Sequence, residues 1–306
     1  MFIIVLNQSN IVANSNNNTM IYKFPNSVKF DNHYISVSSI SMYYSWFNIT
    51  EQYLNNTITY TWYNGVVQTT FTITIPDGLY EIADINSFCQ FEMIKNGTYL
   101  IDQSGSNVYY FELQVNPNRY AIQLNTFQVP TALPVGYTQP ANFFGYPTNT
   151  FNPGVSFIPK FSTIVGYPDN FTSNENINGA YVPPPPTAST NYATKDTANT
   201  LSYLSNTSPQ LQPNSSAFVS VSNINNPYST PSSIIYSIAP TVAIGEQIIE
   251  RPPNFMWTKL ISGTYNEIRL QFLGVDNQPL NIRDPQIMVL LTIMDGNEKL
   301  NNLGIK

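Results

Sequence analysis

Apolar and polar residues alternate along much of the chain, and that two-residue period predicts strands. The stretch Ile35 to Thr50 reads ISVSSISMYYSWFNIT. Ile35 and Val37 share one strand face, whereas Ile40, Met42, Tyr44 and Trp46 share the other. The phase changes at Ser38-Ser39, which predicts a β-bulge, because one extra residue moves every later side chain to the opposite face. Tyr43 and Phe47 fall opposite Tyr44 and Trp46, so the strand carries aromatics on both faces. One pair is expected to meet the core and the other a neighbouring element or subunit. The sequence leaves open which pair does which, so all four are candidate interface or structural residues.

Similar patterns recur. Thr57 to Tyr63 and Val66 to Ile75 flank Asn64-Gly65, a hairpin signal because a type I′ turn takes two positive φ angles. A second hairpin is expected from Val108 to Phe127 around Asn116-Pro-Asn-Arg119. Between the two, Ile82, Ile85, Cys89 and Met93 recur at helical spacing with Phe88 beside them. This predicts a helix over about 84–95, capped by Asp84 and stopped by Asn96-Gly97. Ala217 to Ser222 and Ile234 to Ile238 read as strands, as do Ile268 to Phe272 and the doubly apolar run Ile287 to Met294. Core strands are expected near 35–48, 57–63, 66–75, 107–115, 119–127, 217–223, 266–273 and 286–294. Many hairpin-linked strands with one helix argue an antiparallel sandwich or barrel.

Proline interrupts this pattern. From Pro130 to Pro231 lie 15 of the 23 prolines, including Pro183 to Pro186. Proline cannot donate to a ladder and blocks helix interiors. Loops, short strands and a short helix near Phe161 to Val165 are expected there. Structureless loops of this length are uncommon in compact domains. The expected division is therefore a core of residues 1–130 and 217–306, with 131–216 as an insertion, either a loop-rich outer region or a small β domain. Residues 187–216, rich in Ser, Thr and Asn, are its most mobile candidate.

Composition narrows the function. Charged residues are only 10% of the 306, against about 25% in ordinary soluble domains. Asn, with 39 copies, fills much of the polar space. A low-charge surface rich in Asn, Thr and Tyr can lie against neighbours without burying many unpaired charges; an A/T-rich gene would produce the same bias. The net charge of −6 and the lack of a Lys/Arg run leave out the electrostatic footprint of nucleic-acid binding. One cysteine gives no intrachain disulfide and fits a reducing compartment. The opening MFIIVLNQSN lacks the features of a signal peptide, and no apolar run is long enough for a membrane helix.

Candidate chemistry is sparse. His33, the only histidine, sits in Phe30-Asp-Asn-His-Tyr34 and reads as a turn residue rather than a catalytic base. Pairing it with Cys89 would suggest a cysteine protease, but Cys89 lies on the apolar side of its helix, where free Cys is commonly a buried hydrophobe. Asp276 to Asp284 offers oxygen ligands without the calcium-loop pattern and reads as a turn. No catalytic, cofactor or metal site is assigned, and the chain is read as non-enzymatic. Aromatics could stack on sugar, so a carbohydrate-binding β-sandwich attachment module is the alternative function.

The combination of Tyr22-Lys-Phe-Pro25, Ile40-Ser-Met-Tyr-Tyr-Ser-Trp-Phe-Asn-Ile-Thr50, Asn64-Gly65, Ile75-Pro-Asp-Gly-Leu-Tyr80, Glu267-Ile-Arg-Leu-Gln-Phe272, Asp276-Asn-Gln-Pro-Leu280 and the final strand resembles the minor capsid, or penton, proteins of virophages and of the related Polinton/Maverick and adintovirus group. The likeness covers roughly 1–130 and 233–294, and YYSWFNIT is its most specific element. It implies a single jelly roll of two four-stranded antiparallel sheets. It further implies a homopentamer at the five-fold vertices of an icosahedral virion, assembled in the host cytoplasm or viral factory. Double-jelly-roll major capsid proteins would be the neighbours, and the insertion would project outward, where it could meet a host-surface glycan or receptor. The likeness carries no catalytic residue. An N-terminal arm (1–30) and a C-terminal tail (295–306) are expected to reach neighbours or the shell interior, with 131–232 facing solvent.

Overall fold

A computed structural model describes residues 1–173, 200–211, 215–243 and 245–296. Pro183 to Pro186, residues 187–199 of the expected mobile segment and residues 297–306 of the expected tail lie outside the described residues. In chain order the first strands are β1 (Phe2–Leu6), β2 (Thr19–Phe30) and β3 (His33–Tyr43). The middle supplies β4 (Thr57–Asn64), β5 (Val67–Thr74), α1 (Ile82–Asn96), β6 (Leu100–Ile101), β7 (Asn107–Val108), β8 (Phe111–Asn116), β9 (Ala121–Phe127), β10 (Val155–Phe157), α2 (Pro159–Val165) and β11 (Thr200–Leu204). The last strands are β12 (Ala217–Val221), β13 (Ile234–Ile238), β14 (Gln247–Glu250), β15 (Thr258–Lys259), β16 (Gly263–Leu273) and β17 (Met288–Asp295). The chain divides into two compact units, Met1–Phe47 with Asn214–Lys306, and Asn48–Pro213.

The first unit is a jelly roll. One sheet has the order β1-β17-β3-β14, with β15 also on β3; the other has the order β13-β12-β16-β2. β1 pairs with β17, β2 with β16, β3 with β14 and β12 with β13, all antiparallel. The outermost strands thus pair with each other, then the next inward, as in one long hairpin. The β17–β3 and β16–β12 ladders roll that hairpin into two facing sheets. This connectivity is a jelly roll by its own strand order. Ile4, Leu6, Met20, Val37, Trp46, Val219, Leu270, Phe272 and Leu291 meet in its core.

Local chemistry explains the irregular points. The β3–β17 register slips between Leu290 and Leu291, whose partners are Ser39 and Val37, so Ser38 is the extra residue. The predicted bulge is therefore present. β2 pairs Val28 with Tyr265 and Lys23 with Glu267, leaving Phe24 to Ser27 opposite Asn266. Pro25 lies in that bulge, where no ladder donor is required. β14 and β15 share one edge of β3, separated by a loop containing Pro252-Pro253. Between β1 and β2, Asn14, Asn16 and Asn17 take positive φ of 60°, 48° and 55°, a region asparagine tolerates. Asn17 Nδ2 donates to the Ile282 carbonyl (2.9 Å) and Asn18 Nδ2 to that of Leu280 (2.7 Å).

Two expectations need correction. Residues 2–6 and 19–30 are strands of the jelly roll rather than a reaching arm. The strands at 57–64, 67–74, 111–116 and 121–127 belong to the second unit, so the division falls after Phe47 and not at 130. The physical reason is that alternation shows which face a strand buries but not which sheet covers it.

The second unit has its own two three-stranded sheets, β10-β4-β5 and β11-β9-β8, with a small β6–β7 pair. Trp62, Tyr110, Phe111, Phe151, Phe157 and Phe161 make an aromatic-rich core. Helix α1 buries Ile82, Ile85, Cys89 and Met93, as its spacing predicts. Asp84 acts one turn in, its Oδ2 accepting from the Glu81 N–H (2.9 Å). Gly97 ends the helix at φ 68°, and a Cβ there would lie 1.9 Å from the Asn142 carbonyl oxygen, so only glycine fits. The β4–β5 loop is Gly65-Val66, with Asn64 paired to Val67. Only Gly65 has positive φ, the pattern of a II′ turn rather than the expected I′. A second helix, α2, covers the apolar Phe161 to Val165.

Candidate interaction surface

The four candidate aromatics part by face. Beyond the bulge, Ile40, Met42, Tyr44 and Trp46 return to the side of Ile35 and Val37, and all six enter the jelly-roll core. Trp46 is 1% exposed, and its ring lies 4.4 Å from that of Tyr44. Burial pushes the Tyr44 phenol upward from its ordinary pKa. Trp46 also bridges to Ile282. Tyr44 and Trp46 are thus structural. Tyr43 and Phe47 remain half-buried on the other face, and the Arg283 guanidinium stands 5.0 Å from the centre of the Phe47 ring. A cation over an aromatic face at partial exposure contributes about 0.5–1 kcal/mol.

His33 and Cys89 fall in different units. His33 opens β3 with Nδ1 2.8 Å from the Asp31 carbonyl and packs on Phe30. Cys89 is buried, and desolvation pushes its thiol up to about 12, the reverse of what a nucleophile needs. In the Asp276–Asp284 loop, Asp276 Oδ1 accepts from the Gln278 N–H (3.1 Å) and Asp284 Oδ1 from the Gln286 N–H (2.7 Å). The carboxylates serve turns. Among the described residues, no group of three or more His, Cys, Asp or Glu could hold a metal ion, and no helix is long and apolar enough to cross a membrane.

Apolar side chains do reach the surface of the jelly roll, at the two edges of one sheet. Strand β1 is one edge. Ile4 and Leu6 point to the core, while Ile3 (57%) and Val5 (47%) are exposed on the alternate face. At the other edge stand β14 and the loop to β15. Ile249, Phe255 (49%), Met256 (61%) and, just past β15, Ile261 are exposed, and Phe255 packs 5.2 Å from Trp257. Sequence reading missed both edges. The signal was present in Met1-Phe-Ile-Ile-Val-Leu6, apolar at consecutive positions with no charge or proline.

The second unit carries a mainly apolar cavity and a polar side-chain network. A cavity of ≈ 150 Å³ sits at the β4–β5 turn, lined by Tyr63, Gly65, Val66, Pro147, Thr148, Asn149 and Phe151. On the β11-β9-β8 sheet, Asn116 Nδ2 donates to Gln123 Oε1 (3.0 Å), Gln123 Nε2 to Asn125 Oδ1 (2.9 Å) and Asn125 Nδ2 to Glu112 Oε1 (2.9 Å). Ser202 Oγ also donates to Asn125 Oδ1 (2.7 Å). The chain of donors ends on the Glu112 carboxyl, which burial raises above its ordinary pKa.

No family model and no curated protein matches the chain. Among solved structures it is similar to the selenomethionine-labelled mavirus penton protein, at 10% identity and a TM-score of 0.41, over 96% of this chain and 98% of that one. It is also similar to a chain of the Sputnik virophage, solved by cryo-electron microscopy, at 12% identity and a TM-score of 0.36, over 92% of this chain and 99% of that one.

Proposed function

We propose that the chain is a structural capsid protein, the penton (minor capsid) protein of an icosahedral virion, and that it acts as a homopentamer at the five-fold vertices. The observation that carries this reading is the jelly-roll strand order of the Met1–Phe47 and Asn214–Lys306 unit, a build recurrent in capsid subunits. Fold alone does not fix function. The YYSWFNIT motif adds the family likeness, and the low charge adds a surface suited to lying against neighbours. A ring of five is a heterologous contact that closes. Each subunit is held on both sides and again by the shell, so modest contacts suffice. Major capsid proteins of double-jelly-roll type are the neighbours, and the Asn48–Pro213 unit faces solvent. The test is native mass spectrometry of the purified protein together with electron microscopy of particles. Pentamers and density at five-fold vertices support the reading; a stable monomer absent from the vertices overturns it.

A second reading, carbohydrate attachment, is favoured by the cavity whose lining includes the half-buried Tyr63 together with Thr148 and Asn149. Lectin domains also use jelly rolls. The two roles are compatible in a vertex protein that meets a host surface. A glycan array with the purified protein decides it: binding that is lost in Asn149→Ala supports attachment, and no binding on the array removes it.

A further inference from the structure

Strand β1 ends its sheet with a ladder on one side only, among the described residues. Natural proteins guard such edges with charge, proline, bulges or cover, because unpaired backbone groups invite another chain. Phe2–Leu6 has no charge and no proline, and it exposes Ile3 and Val5. The opposite edge of the same sheet exposes Ile249, Phe255 and Met256, and aromatic and Met side chains are enriched in protein interfaces. Two apolar strips on opposite edges of one sheet cannot cover each other within a single chain. They can between copies.

We propose that β1 of one copy docks against β14 and the Phe255–Trp257 loop of the next copy, so that these two edges are the subunit contact. This rests on the ring reading above and names the surface that the ring uses. The occupant is a second copy of this chain because the alternative two-fold pairing, β1 against β1, leaves Ile249, Phe255 and Met256 bare on both partners. A head-to-tail contact covers both strips at once. Such a contact is heterologous and closes into a ring when the rotation permits. Strand β1 carries no charged side chain, and at the other edge the charges nearest the apolar strip are Glu250 at the end of β14 and Arg251 beside it, so few charges need be desolvated on association.

The test uses the full chain. Val5→Cys and Met256→Cys variants are prepared separately, mixed, and treated with a short bismaleimide; Cys89 is buried and stays out of the reaction. The expected result is a covalent dimer in the mixture and none in either variant alone, with ladders up to the ring size in the double variant. In parallel, Ile3→Lys with Val5→Lys, and separately Met256→Lys, are sized by light scattering. Oligomer at fixed concentration is expected to fall roughly tenfold or more, since a lysine is buried without a partner. Melting temperature guards against misfolding, and Val5→Thr serves as a milder variant with a smaller loss. Val5→Cys cross-linking to itself, or lysine variants that keep the wild-type oligomer, overturns the proposed contact while leaving the ring in place. A wild-type chain that stays monomeric in every sizing experiment, with no cross-link in the mixture, overturns the contact and the ring reading together.

Discussion

The Ser38 hydroxyl donates to the Leu290 carbonyl at 2.9 Å, across the point where β3 holds one residue more than β17. The bond gives the bulge a partner and holds the register on either side of it. Without the extra residue, either Ile35 and Val37 or Ile40 and Met42 would turn away from the core. Ser38→Ala is expected to lower stability by about 1 kcal/mol through loss of one hydrogen bond. Deleting Ser38 is expected to abolish cooperative folding. Urea melts of both variants check the pair; a deletion that unfolds at the wild-type midpoint would show that the register is set elsewhere.

The split of the aromatics by face gives a second expectation. Trp46 fills the jelly-roll core, so Trp46→Ala is expected to cost about 3–5 kcal/mol. Phe47 is half-buried under Arg283, and Phe47→Leu is expected to cost about 1 kcal/mol or less. Denaturant titration of each variant measures the difference. Equal costs would contradict the assignment of faces.

Asn48 is one residue further on, at 1% exposure in the second unit. Its Nδ2 donates to the carbonyls of Tyr80 and Leu211 (2.8 Å each), and its Oδ1 accepts from the Tyr80 N–H (2.9 Å). Asn48-Ile-Thr50 has the form of a glycosylation sequon, yet the amide nitrogen is wholly engaged. Asn48→Ala leaves three backbone groups unpaired and is expected to cost about 3 kcal/mol. Denaturant titration of the variant against wild type measures the loss.

How far the sequence could be read follows from these residues. Alternation gave the faces of Ile35 to Trp46 and the bulge between them, because side-chain period is a local property. It could not assign the hairpins at 57–74 and 111–127 to a unit, because both cores are apolar and the same alternation serves either. The boundary at Phe47/Asn48 lies inside the densest aromatic motif and has no composition shift to mark it. Strand β2 was hidden by the bulge around Pro25, and β1 by having apolar residues on both faces, one set buried and the other exposed. The apolar run Met1 to Leu6 marks a strand with two apolar faces, but which face stays exposed is a tertiary fact that the run does not carry.

Glu112 supplies a pH expectation with a definite sign. Its carboxyl is mostly buried and accepts from Asn125 Nδ2, and burial raises its pKa in the folded state. The folded chain therefore binds the proton more tightly than the unfolded chain. Its contribution to stability is fully present below the unfolded value, near 4.5, and is lost as pH rises through the folded value. Glu112→Gln keeps an oxygen to accept from Asn125 and removes the charge that must otherwise be desolvated. The variant is expected to melt higher than wild type at pH 7 and close to wild type at pH 4. Thermal melts at the two pH values check this. A variant destabilised at pH 7 would mean that the ionised carboxylate, held by the Asn116–Gln123–Asn125 donor chain, is the form the fold prefers.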